Sequence, residues 1–327
     1  MPQQLSSQLN QILKETSRAF YLSLAILPDY SRKPLSLAYL LARAADTIAD
    51  SEVSEEAPRV ETLSLYQECL SHPERAGELR LSGFTPEHQG EASLLTRVPQ
   101  LFQELRDCPE HQAQAISSVV HTLVKGMLWD QELFAGGARR NGLTPEQLET
   151  YTYLVAGCVG PFWSEVCAWG DQRLSPLLSE PMTEVAIEFG KGLQWVNILR
   201  DIPGDQREGR YYLPALEQPE FRTRFEASSR RALRAFQRAR IYPLQFPGSR
   251  FRDRIALLLP LVLGLRTLEK LFRDGGPRPN RRVKVSRKEV LGWLAVSPLC
   301  VVTSAGFDAL LNHLLRRAEK ALDALDW

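Results

Sequence analysis

Apolar residues recur at three- and four-residue spacing through most of this chain, the period that lets an α-helix bury one face. The pattern predicts helices over about 5–27, 34–50, 58–71, 91–106, 111–135, 145–169, 181–202, 220–241, 250–273 and 286–322, with no run of the alternation a strand needs. Turn-forming residues fall between them. Pro28 and Pro34 bracket a short turn, 51–58 is an acidic loop, 72–90 is rich in Gly and Pro, and Pro243, Pro247-Gly248 and 274–280 mark later breaks. Thr144-Pro145-Glu146-Gln147 has the form of a helix start, with a capping threonine, proline at the first position and glutamine at the third. No repeat of solenoid period is present. The fold class expected is all-α, one domain over 1–327 with helices around a central apolar cavity.

Hydrophobic residues at 44% and charged residues at 24% of 327 are ordinary for a soluble globular protein. The net charge of +1 conceals an asymmetry: between 222 and 288 stand 19 Lys and Arg against four acids. Such a stretch suits an anionic ligand, a nucleic acid or an acidic membrane surface, and equally a set of solvated helix faces. The five cysteines are odd in number and scattered without a CxxC, which points to reduced thiols and a cytoplasmic setting. The N-terminal residues lack an apolar signal core, and 255–265 is too short to span a bilayer. The stretch 290–307 carries no charge, but its serines, threonine, proline and glycines assign it to a core or cavity-lining helix. His72, His88 and His111 are expected at the surface, and His121 and His313 in the core or an interface. None has metal or triad spacing, and no Gly-rich dinucleotide or P-loop motif occurs.

Two acidic pairs stand out: Asp46-Thr-Ile-Ala-Asp50 and Asp201-Ile-Pro-Gly-Asp205. Residues four apart share a helix face, and like charges at that spacing destabilise the helix unless a cation neutralises them. Two hard carboxylate pairs suit Mg²⁺, which completes its shell with substrate phosphates. The first pair alone reads equally as a solvated surface; Arg43, three residues earlier, is placed to screen it or to contact a phosphate. The second is richer. Gln194, Asn197 and Asp201 form a polar stripe on an otherwise apolar helix, expected to face inward toward a ligand. Arg200, Arg207 and Arg210 add guanidinium groups suited to phosphate. Pro203-Gly204 is expected to end the regular helix and redirect Asp205.

Ser17-Arg18-Ala19-Phe20, Arg43 through Asp50, Tyr151 through Gly160, and Asn197 through Asp201 with Gly209-Arg210-Tyr211-Tyr212-Leu213-Pro214 together resemble the squalene/phytoene synthases, the head-to-head trans-prenyl transferases, over roughly 14–320. The resemblance implies the all-α isoprenoid-synthase fold. It implies Mg²⁺ held by Asp46, Asp50, Asn197, Asp201 and Asp205, and a catalytic role for Tyr151. Substrate would be bound by Ser17, Arg18, Phe20, Arg43, Val155, Ala156, Gly160, Gln194, Asn197, Arg200 and Arg210, with Phe162, Trp163 and Trp195 candidates for an aromatic wall. Within the family the chain looks most like a bacterial squalene synthase acting on farnesyl diphosphate. The stretch 282–288 is similar to the basic segment near the NADPH phosphates, implying cofactor contacts by Lys284, Arg287 and Lys288. Two departures stand against the eukaryotic pattern: Ala256 where an aromatic residue is usual, and no C-terminal membrane helix. Phytoene, dehydrosqualene and hydroxysqualene synthesis remain alternatives, as does an all-α protein binding a polyanion, although 222–288 lacks the aromatic interleaving of a single-strand binder. The resemblance implies no nucleic acid and no obligate protein partner, with a peripheral contact at the inner membrane for product release.

Overall fold

The computed structural model describes residues 5–53, 58–135, 140–279, 281–301 and 303–326; the side chains of Arg18, Ala19, Phe20 and Leu299 lie outside that description. The chain forms two compact units. One comprises residues up to Leu133 with Glu165–Gln172; the other comprises Phe134–Ser164 with Arg173 onward.

The first unit is built on α1 (Ser7–Ile26), α2 (Asp29–Asp50), α3 (Arg59–Ser71), α4 (Gln89–Thr96), α5 (Val98–Arg106) and α6 (Glu110–Phe134). Alpha2 is buried along most of its length, with Leu37, Leu40, Leu41, Ala44, Ala45 and Ile48 fully enclosed. Tyr66 of α3 is completely buried, stacks edge-on to Phe102 at 5.1 Å, and donates its hydroxyl to the Leu41 carbonyl at 2.8 Å. That bond meets the polar cost of burying a phenol, so about 1.5–3 kcal/mol of apolar burial is kept. The turn expected between Pro28 and Pro34 is instead the first turn and a half of α2, which runs through Pro34. Pro34 is the sixth residue of the helix, so it forfeits one i−4 backbone bond, and the buried side chains that follow it carry the helix through that loss. The expected helix over 91–106 is divided at Arg97, where Pro99 sits in the first turn of α5. Two short strands unforeseen in the sequence, β1 (Glu52–Val53) and β2 (Phe84–Thr85), pair antiparallel.

The second unit contains α7 (Pro145–Thr152), α9 to α13, and the start of α8 (Val159–Gly170). Its scaffold is α9 (Glu180–Arg207), α10 (Phe221–Ala239) and α11 (Phe251–Arg273), closed by α12 (Arg287–Val301) and α13 (Ser304–Asp323). Phe225, Phe236, Phe272 and Phe307 are fully buried among the leucines of α11. The capping box at Thr144 forms as expected, with Gln147 N donating to Thr144 Oγ1 and Thr144 N to Gln147 Oε1. Alpha7 then passes into a π-helical turn, Tyr153–Gly157, in place of the continuous helix expected over 145–169.

The expected helix over 286–322 is likewise two helices, with Thr303 capping the second through Gly306 N. The uncharged stretch beginning at 290 is not a core helix throughout. Leu291 is 62% and Val296 45% exposed. His121 and His313 are exposed rather than buried. The cysteines are free, and burial lifts the Cys158 thiol to about 12 and the Cys69 thiol to about 11, which leaves both as inert protonated groups.

Candidate active site

In the first unit, Asp46 and Asp50 occupy the last turn of α2. Asp46 keeps 36% of its side-chain exposure, and Asp50 is exposed. Desolvation and then the neighbouring Asp50 carboxylate push the Asp46 carboxyl up to about 6, against the opposing pull of Arg43. The pair is thus a place where extra positive charge is stabilising. Arg43 forms ion pairs with both Asp46 and Glu91. Glu91, on α4 and 48 residues away, carries no local sequence signal, and only the fold brings it to this arginine. Ser17 is buried and donates to the Leu13 carbonyl of its own helix. The side chains of Arg18 and Phe20 fall outside the described residues.

In the second unit, Pro203 does not end the helix: α9 continues through Asp201 and Asp205 to Arg207. Proline within a helix removes one N–H and crowds one carbonyl, and the flanking turns carry the helix through. Asp201 and Asp205 consequently share one face, one turn apart, with side chains about one-fifth exposed. Two guanidinium groups sit on Asp201. Arg200 donates Nε to Oδ1 at 2.9 Å and contacts Oδ2 through Nη2; Arg282 donates Nε to Oδ1 at 2.8 Å and Nη2 to Oδ2 at 3.0 Å. Burial alone would raise the Asp201 pKa, but Arg200 and Arg282 reverse that and hold it below the ordinary carboxylate range. Arg282, part of the basic stretch 282–288, engages the Asp201 carboxylate. Arg210 lies 3.9 Å from Asp205 and pairs with Glu208. Arg207 donates to the Pro279 carbonyl at 2.8 Å, tying the end of α9 to the segment after α11.

The polar stripe is more open than expected. Asn197 is exposed, Gln194 is half-buried, and Asn197 Nδ2 donates to Gln194 Oε1 at 3.2 Å. Tyr151 and Tyr212 are buried, with hydroxyls 3.0 Å apart and rings stacked at 4.9 Å. Tyr212 lies in the Gly209–Pro214 motif, whose sequence alone gives it no role. Val155 and Ala156 lie in the π-helical turn. A Cβ at Gly190 would meet the Ala156 carbonyl oxygen at 2.3 Å, and one at Gly160 would meet the Ala186 oxygen at 2.0 Å. Both glycines therefore set the close approach of these backbones to α9. Phe162, Trp163 and Trp195 are buried, and neither indole N–H has a partner among the described residues. Lys284, Arg287 and Lys288 are exposed, while Ala256 is enclosed within α11.

The donor chemistry fits a hard divalent cation. The described residues hold no group of three or more His, Cys, Asp or Glu able to wrap an ion. Paired carboxylates without a full cage are what Mg²⁺ uses, since it keeps water and phosphate in most of its octahedron. The guanidinium groups on Asp201 mark the same spot as one that takes positive charge. For NADPH, the three exposed cations suit phosphate groups, and the described residues supply no Rossmann element.

The squalene/phytoene synthase family model matches residues 13–289, and the chain belongs to that family. Its members are prenyl-transferring enzymes of isoprenoid biosynthesis. Similar proteins include a bifunctional lycopene cyclase/phytoene synthase of Blakeslea trispora, 30% identical over 62% of this chain and 31% of that protein. A squalene synthase of Rattus norvegicus is 27% identical over 62% and 45%, respectively. The chain thus spans less than half the length of these two relatives. Among solved structures, a complex of TcSQS with the ligand E5700 superposes with a TM-score of 0.71 at 20% identity, covering 98% of this chain and 99% of that one. The fold is accordingly the all-α isoprenoid-synthase fold of squalene synthases.

Proposed function

We propose that this protein is a squalene synthase that joins two farnesyl diphosphates head to head. The observation that carries the reading is the Asp201–Asp205 pair on one face of α9, ringed by Arg200, Arg210 and Arg282, in a chain of this family. The C1–O bond of the first farnesyl diphosphate breaks, and diphosphate leaves with the electron pair. The C2–C3 double bond of the second molecule attacks the C1 cation. Proton loss closes a cyclopropane and gives presqualene diphosphate. Arg200 and Arg210 stabilise the charge on a departing diphosphate held at Asp201 and Asp205, and Arg43 would serve one held at Asp46 and Asp50, the electrostatic contribution that dominates such reactions. Asp46, Asp50, Asn197, Asp201 and Asp205 would hold Mg²⁺, which supplies Lewis-acid stabilisation of the leaving group.

Tyr151 steers the cation or receives the proton. A phenol is a weak base, so the released diphosphate takes up the proton, and the hydrogen bond to Tyr212 orients the Tyr151 hydroxyl. Buried aromatic faces such as Trp163 and Trp195 suit a water-free chamber for a carbocation. NADPH, with its phosphates on Lys284, Arg287 and Lys288, would supply hydride for reduction to squalene. The hydrocarbon product favours a peripheral contact with the inner membrane. Sharing motifs with phytoene synthases, the chain has a second reading: the same condensation without reduction, or with the longer geranylgeranyl substrate. Incubation with farnesyl diphosphate and Mg²⁺, with and without NADPH, followed by mass spectrometry, separates them. Presqualene diphosphate that converts to squalene only with NADPH is expected. Turnover of geranylgeranyl diphosphate alone would reject the reading.

A further inference from the structure

The chemistry proposed for the second unit leaves one charged cluster unused. Glu149 of α7, Glu188 and Lys191 of α9 and Arg231 of α10 meet with their side chains mostly out of water. Arg231 donates Nε to Glu149 Oε1 at 2.5 Å and Nη2 to Glu149 Oε2 at 2.9 Å. Its Nη1 and Nη2 also reach the two oxygens of Glu188, at 2.8 and 2.9 Å. Lys191 Nζ completes the group, donating to Glu149 Oε2 at 2.5 Å. Two cations meet two carboxylates, so the charges balance without a ligand. A largely buried ion cluster adds little net stability over apolar packing of the same volume, because desolvation offsets the attraction. What forked, bidentate contacts add is a fixed angle between the helices that carry them.

The cluster lies directly behind Tyr151. Residues two apart on a helix point to nearly opposite sides, so Glu149 is gripped on the far side of α7 from the Tyr151 ring. Immediately after α7 comes the π-helical turn, where Cys158 N reaches back five residues to the Tyr153 carbonyl at 2.9 Å. Such a winding is rare and needs surroundings that hold it. Lys191 holds it at both ends. Its ammonium is on Glu149, before the turn, and its stem lies against Gly157, where the turn finishes and where a Cβ would meet Lys191 Cγ at 3.1 Å. Tyr151 stands between those two points, its hydroxyl 3.0 Å from that of Tyr212. We propose that Lys191 is a positioning residue, a brace spanning the π-helical turn that sets where the Tyr151 hydroxyl stands. Its ammonium is engaged by Glu149 rather than offered to substrate, and Arg231 fixes Glu149 in turn. The catalytic consequence of the brace rests on the role proposed above for Tyr151. A displacement of about 1 Å at a reacting group can cost up to about a hundredfold in rate.

The test compares Lys191→Met, which keeps the stem and removes the ammonium, with Lys191→Arg, which keeps the charge, each alone and combined with Tyr151→Phe. In farnesyl diphosphate turnover at saturating Mg²⁺, Lys191→Met lowers kcat about tenfold and leaves KM within about twofold, and Lys191→Arg restores most of the loss. In the Tyr151→Phe background Lys191→Met costs less than about twofold, because the group it positions is already gone. Equal losses in both backgrounds, or an unchanged kcat, overturn the proposal, since the cluster would then only hold the fold together. Arg231→Lys, which loses the fork and keeps the charge, gives an intermediate loss and stands in should the methionine variant not fold. Hydrogen exchange of the free protein reads the brace without any reaction: amides of 153–158 exchange faster in Lys191→Met, and those of α13 do not change. Unaltered exchange in 153–158 overturns the brace even in an active enzyme. Faster exchange there, when wild type turns over no prenyl diphosphate, rejects the proposed activity and leaves the brace standing.

Discussion

Asp201 already carries two guanidinium partners, so its contribution differs from that of a bare metal ligand. Replacing it with alanine leaves Arg200 and Arg282 without their shared acceptor and removes an oxygen proposed to bind Mg²⁺. Turnover with saturating Mg²⁺ is expected to fall at least about a hundredfold, and calorimetric Mn²⁺ titration should weaken in parallel; a variant with full activity would refute the assignment. The two phenols make a second comparison. Tyr151→Phe is expected to cost about a hundredfold in kcat. Tyr212→Phe removes the hydrogen bond to Tyr151 and should cost nearer fivefold, and equal losses in steady-state assays would place both hydroxyls on the reacting atoms. Asp46 gives a pH signature. Its folded pKa of about 6 lies above the ordinary value of 3.8, so its contribution to stability is complete below that lower value and is lost as pH rises through about 6. Asp46→Asn should therefore raise the metal-free melting temperature at pH 8, by about 1–2 °C, and leave it little changed at pH 4. At this scale the carboxylate pairs and Arg43 were readable from spacing alone. Glu91 and Arg282 were not, because each arrives from a distant segment, and the sequence holds no local mark of that encounter.

At the scale of elements, α9 shows where sequence reasoning goes astray. Pro203-Gly204 is a strong breaking signal, and in isolation the helix would end there. Buried Ile198, Leu199 and Ile202 hold the final turns against the rest of the unit, and that packing outweighs the lost backbone bond. The opposite error occurs at 145–169 and 286–322, where unbroken periodicity hid a π-helical turn and a capped break. Just beyond the π-helical turn, the start of α8 has its backbone almost in contact with α9. Gly160→Ala places a methyl within 2.0 Å of the Ala186 oxygen and should destabilise the fold by about 1–3 kcal/mol or more. Urea unfolding would reveal it as a lower midpoint with unchanged slope, and a neutral result would mean that α9 shifts easily.

For the molecule as a whole, the predominance of helix and the family were legible, because a 3.6-residue period and clustered motifs survive without three-dimensional information. Which faces stay open to solvent was not legible, since exposure depends on neighbours contributed by other segments; 290–307 is the clearest case. Stability should fall in acid partly through the cluster that joins α7, α9 and α10. There Arg231 bridges Glu149 and Glu188, and Lys191 donates to Glu149 at 2.5 Å. Burial would raise the Glu149 pKa, but its hydrogen bonds to Arg231 and Lys191 bring it below the ordinary value of 4.5. Its stabilising contribution is present above that value and disappears as pH drops through the depressed one. Glu149→Gln should flatten the decline of melting temperature below about pH 4.5, relative to wild type, in a scanning calorimeter.

The region matched by the family model stops at residue 289, and a cloning strategy guided by it would discard α13. That helix supplies Arg317, which donates to the buried Glu269 at 3.0 and 2.8 Å, and it carries Phe307, Leu311, Leu314, Leu315 and Leu322 into the interior. At about 1.5–3 kcal/mol for each of these apolar side chains, the forfeited burial matches a typical domain's entire margin of about 5–15 kcal/mol. Shortened protein should accumulate in inclusion bodies, and residues 290–327 are as much a part of the fold's frame as the segment that bears its signature.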